Sequence, residues 1–76
     1  MSLTYESVVK GRLEEICPLK NTDEMTLDEL IHDSNIAFQI IGYTPKNLEK
    51  SVKFVFENRD LPSLYEFVYE VWLNDN

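Results

Sequence analysis

Backbone breakers are scarce in this chain: two glycines and three prolines in 76 residues. Pro18, Gly42, Pro45 and Pro62 stand where helices would start or stop, and only Gly11 falls inside a helical pattern, at a cost of about 1 kcal/mol relative to Ala. There is no Gly/Ser linker, repeat or low-complexity tract, so the expectation is a single domain built from helices.

Four segments follow from apolar spacing. Tyr5, Val8, Val9, Leu13 and Ile16 recur at helical intervals behind a Thr4 N-cap, and Cys17-Pro18 ends that run. Lys20-Asn21-Thr22-Asp23-Glu24 reads as a loop. Thr26-Leu27-Asp28-Glu29 matches a capping box, and the apolar positions from Leu27 to Ile41 run on to Gly42, a C-terminal stop. Thr44-Pro45 signals a further start, with a short helix over residues 46–51. Val52-Lys53-Phe54-Val55-Phe56 is β-branched and aromatic and alternates at Val52, Phe54 and Phe56, so it reads as either extended or loosely helical. Asp60 and Pro62 open a last helix whose stripe is Leu61, Leu64, Tyr65, Val68, Val71 and Trp72, with Glu66 and Glu70 opposite. The tail, Asn74-Asp75-Asn76, is expected to fray. The fold class is therefore all-α, a small four-helix bundle of three long helices plus one short element.

Charge narrows the function classes. Fourteen acidic residues against seven basic ones give a formal charge of −7. That disfavours nucleic acid, which needs Lys and Arg to displace counterions, and favours basic protein surfaces as partners. No apolar run approaches the length of a membrane span, and the first residues lack the pattern of a signal peptide, so the expected location is cytoplasmic. One cysteine, Cys17, excludes an internal disulfide and a Cys-rich zinc site. Cys17 and His32 have nothing to orient them as a nucleophile–base pair, and the chain is not expected to be an enzyme. Asp23, Glu24, Asp28, Glu29 and Asp33 lack the spacing of a calcium loop and read as a solvated face, with no metal expected.

One motif offers more. Leu30-Ile31-His32-Asp33-Ser34-Asn35-Ile36 resembles the signature of the acyl carrier protein family, Leu-x-x-Asp-Ser followed by an apolar residue. Leu48-Glu49, the Val52–Phe56 stretch, Leu61-Pro62-Ser63-Leu64 and Leu13-Glu14-Glu15-Ile16 extend the likeness along the chain. The resemblance implies a four-helix domain with 4′-phosphopantetheine esterified to Ser34, Asp33 as N-cap, and a thioester carried to partner enzymes. These partners would be the transferase that adds the arm and acyl-processing enzymes, docked through Asp28, Glu29, Asp33 and Glu49. Ile31 replaces the family's usual Gly, Asn35 its usual apolar residue, and Gly42 and Pro45 interrupt the following helix.

The same residues support the opposite geometry. If the capping box at Thr26 opens an unbroken helix to Ile41, then Leu27, Leu30, Ile31, Ser34, Phe38 and Ile41 share one stripe and Ser34 faces inward. A carrier needs a break before Ser34, which four weak helix formers, His32-Asp33-Ser34-Asn35, favour. The alternative function is a small acidic helical regulator or inhibitor, of a phage or immunity type, without a prosthetic group. It would bind through Tyr43, Tyr65, Tyr69 and Trp72, as a monomer or weak homodimer.

Overall fold

A computed structural model describes residues 4–75. Four helices, α1 (Tyr5–Ile16), α2 (Leu27–Ile41), α3 (Leu48–Asn58) and α4 (Leu64–Asp75), are joined by short connections, with a 3₁₀ turn at Thr22–Glu24. No strand is present among the described residues, and none of their helices is long and apolar enough to cross a membrane. The arrangement is the four-helix bundle that the apolar spacing implies.

Local chemistry sets the helix ends. Thr4 accepts a hydrogen bond from the Ser7 amide. At α2 the capping box is complete: the Glu29 amide donates to Thr26 Oγ1 at 3.2 Å, and the Thr26 amide donates to Glu29 Oε1 at 2.9 Å. Gly42 stops α2 in the left-handed region, φ 78°. There the Gly42 amide donates to the Gln39 carbonyl and the Tyr43 amide to that of Phe38, a Schellman closure that satisfies carbonyls otherwise left bare. Adding a side chain at Gly42 would meet no neighbour, so the requirement for glycine is conformational.

α4 packs on α1 and α3, and α2 packs on α3 and α1. The core between them is Leu13, Leu30, Phe38, Val52, Val55, Leu64, Val68 and Val71, with Trp72 at its edge. The 18–26 connection is pinned to the start of α4. Thr22 donates its amide to the Pro62 carbonyl and its hydroxyl to the Leu61 carbonyl, and the Leu64 amide donates back to Lys20.

Three sequence expectations need correction. The element after Gly42 is not a short helix over 46–51 but a full helix, capped by Asn47 rather than Thr44, that includes Val52–Phe56. Ser51, Val52 and Val55 form its buried stripe, with Leu48 half-buried beside them. The alternation of Val52, Phe54 and Phe56 is therefore incidental, and Phe54 and Phe56 remain 45% and 46% exposed. α4 begins at Leu64, after a 59–62 connection with no regular secondary structure, and not at Asp60. Finally, Asn74 and Asp75 belong to α4, and Asp75 is buried; Asn76 lies outside the described residues.

Candidate functional site

Ser34, the attachment point implied by the carrier resemblance, sits inside the continuous helix α2 with zero exposure. Its hydroxyl has no hydrogen-bond partner. The capping box starts the helix at Leu27, so Leu30, Ser34, Ala37 and Phe38 fall on one inward stripe, all buried. Asp33 is likewise no N-cap: it lies mid-helix and accepts from Lys20 Nζ at 2.8 Å. That bond, together with the Asp33 charge, pushes the Lys20 ammonium above its ordinary range. A phosphodiester at Ser34 would need an exposed hydroxyl and free helix-start amides. Neither feature stands at Ser34, which is buried inside α2, and Asp33 is paired with Lys20 instead of capping a helix start. Four weak helix formers in a row were outweighed by the burial of their neighbours.

Asp75 is the polar centre that sequence reasoning missed. Its carboxylate accepts from the Tyr43 hydroxyl at 2.7 Å, the Lys46 amide at 2.7 Å, the Asn47 amide at 2.9 Å and the Ser51 hydroxyl at 3.3 Å. Burial opposes its charge, but the four donors outweigh burial and hold the carboxyl below its usual range. The signal was available in principle. The stripe Leu64, Val68, Val71 continues at helical spacing to position 75, which points the last acid inward.

The proposed aromatic contacts separate into two groups. Trp72 is 4% exposed, flanked edge-on by Tyr5 and stacked on Tyr69 at 6.0 Å, so it packs in the core with little of its ring at the surface. Tyr43 is half-buried against Phe38 and bound to Asp75. Tyr65 and Tyr69, one turn apart on α4, are half-buried and present part of their rings to solvent. Burial raises both phenols above the ordinary range. The carboxylates of Glu66 and Glu14 add to this at Tyr65, and those of Glu6 and Glu70 at Tyr69. Lys10 Nζ stands 5.4 Å from the Tyr69 ring centroid, and Arg59 approaches Glu70 at 3.9 Å. Glu6 and Glu14 on α1 and Glu66 and Glu70 on α4 thus bring negative charge to the neighbourhood of both tyrosines.

The acidic docking candidates also divide. Asp28 and Glu49 line one shallow depression between α2 and α3, with Ile31, His32 and Leu48. Glu29 is turned to its own helix end: its bonds with Thr26 hold its carboxyl below the usual range. His32 lies on this depression, whereas Cys17 lines a separate cleft with Pro18 and Pro62. Burial, with a contribution from the Asp33 charge, pushes the Cys17 thiol up to about 11. Among the described residues no group of three or more His, Cys, Asp or Glu could hold a metal ion. No family model, curated protein or solved structure matches the chain.

Proposed function

We propose that this chain is a non-catalytic protein-binding domain, a small acidic regulator or inhibitor that seats a basic segment of its partner on the α1–α4 face. The observation that carries this reading is Lys10 Nζ 5.4 Å from the Tyr69 ring, beside Tyr65, on the two helices that also carry Glu6, Glu14, Glu66 and Glu70. Arg side chains stack on aromatic faces and pair with carboxylates in the same pose, so this surface suits an Arg- or Lys-rich segment. Lys10 over Tyr69 already shows a cation in that position. The net charge of −7 would speed encounter with a basic partner. The tethered-carrier reading depends on Ser34, and a sealed hydroxyl lends it no support.

The test is a titration of the isotope-labelled chain with a short Arg-rich peptide, followed by amide chemical shifts. Saturable changes confined to α1 and α4, weakened by added salt and by Glu14→Gln with Glu66→Gln, support the reading. Changes spread evenly over the surface, or indifferent to the two substitutions, overturn it. Glu14 is exposed and Glu66 half-buried, and neither is in the core, so the variants should keep the fold.

A further inference from the structure

The seven cations of this acidic chain are unevenly used. Lys10 sits over Tyr69, Arg12 approaches Glu15, Lys20 binds Asp33 and Arg59 approaches Glu70. The other three, Lys46, Lys50 and Lys53, are exposed and make no ion pair among the described residues. All three line one groove between the first turns of α3 and the end of α4, with Phe54 and Asn74. Phe54 is 45% exposed there. Of the two carboxylates in the same groove, Asp75 is committed inward by four hydrogen bonds, which leaves Glu57 at one end. The groove therefore presents three lysines without an ion pair beside an exposed aromatic ring, Lys46 at its edge also bordering the depression of Asp28 and Glu49.

We infer that this groove is a second docking surface, which takes an acidic peptide segment bearing an apolar side chain. Charge complementarity selects the occupant: carboxylates on the lysine row, and an apolar side chain on Phe54. A nucleic acid fits less well. Its charge extends far beyond three lysines, into the field of a chain with net charge −7. A second copy fits less well too, because a whole −7 molecule is repelled more strongly than a short acidic segment that touches only the lysine row. The Asp75 carboxylate already takes the Lys46 and Asn47 amides just before α3, so binding rests on the lysine side chains and on Phe54. Such a contact is small, and its association is weak and sensitive to salt. Together with the Tyr65 and Tyr69 face, the domain would hold two partners of opposite charge on different surfaces.

The experiment titrates the labelled full chain with a synthetic Glu- and Asp-rich peptide containing one Phe, at low salt. The expected result is saturable shift change confined to residues 46–57 and Asn74. The combined Lys50→Glu and Lys53→Glu change should weaken binding at least about tenfold, and Phe54→Ala about threefold. All three sites are exposed, so the amide spectrum should keep its native dispersion. Any of three results overturns the inference: no saturable change, polyphosphate of equal charge binding as tightly with no effect of Phe54→Ala, or self-association in sedimentation that the Lys50 and Lys53 changes abolish. The probe here is acidic and that for the α1–α4 face is basic, so the two readings fail separately.

Discussion

Ser34 and Asp75 are both polar, both helical and both buried, yet they stand at opposite ends of a scale. Ser34 has the motif around it and no partner; Asp75 has no motif and four partners. A neutral hydroxyl can be sealed in a core at modest cost, whereas a buried carboxylate persists only if its surroundings supply donors. The difference teaches that residue type in a short pattern says little about role until the backbone fixes which side the residue faces.

The comparison is sharpened most by Asp75→Ala. It strands two hydroxyls and the Lys46 and Asn47 amides of the turn before α3, and should destabilise by about 3 kcal/mol, read from chemical denaturation. A loss under about 1 kcal/mol would erase the contrast with Ser34. Acid makes the next test. The folded Asp75 carboxyl titrates below its unfolded value, so its contribution is present above the ordinary carboxylate range and is lost as pH falls through the folded value. Wild type should therefore lose stability below about pH 4 more steeply than Asp75→Asn. Equal slopes would show that other acids dominate. Ser34→Ala should be neutral or stabilising by up to about 1 kcal/mol, since it removes an unpaired buried hydroxyl. A clear loss there would reveal a hydrogen bond to that oxygen. The smallest expected effect is none: incubation with coenzyme A and a broad phosphopantetheinyl transferase should leave the intact mass unchanged while a control carrier gains its arm. A mass gain that Ser34→Ala abolishes would restore the carrier reading outright.

Much of the fold was legible because it rests on local rules. The Thr4 and Thr26 caps, the Gly42 stop and the Leu64, Val68, Val71 stripe all stand as spacing and capping chemistry require. Where the sequence was ambiguous, long-range burial decided. Val52–Phe56 carries β-type residues but is helical, because Ser51, Val52 and Val55 have helices to pack on. The break before Ser34 was favoured by four weak formers and prevented by the stripe they interrupt. The site was less legible. Tyr65 and Tyr69 were identifiable on α4, but the glutamates whose charge reaches them lie partly on α1, and no local pattern records that approach. Trp72 looked like a contact residue only because its burial between Tyr5 and Tyr69 is a tertiary fact.

The Asp75 clasp also ties the fates of distant segments. The residues it holds, Tyr43, Lys46, Asn47 and Ser51, lie 24 to 32 positions earlier in the chain. The turn between α2 and α3 is thus held by the last turn of α4 as well as by its own Gly42 and Asn47. Local opening should follow that coupling: amides of Lys46 and Asn47 should exchange with solvent at the rate at which the end of α4 lifts away. The lysine groove lies across that same joint, so a segment bound there would close the end of the bundle and slow the exchange of both regions together.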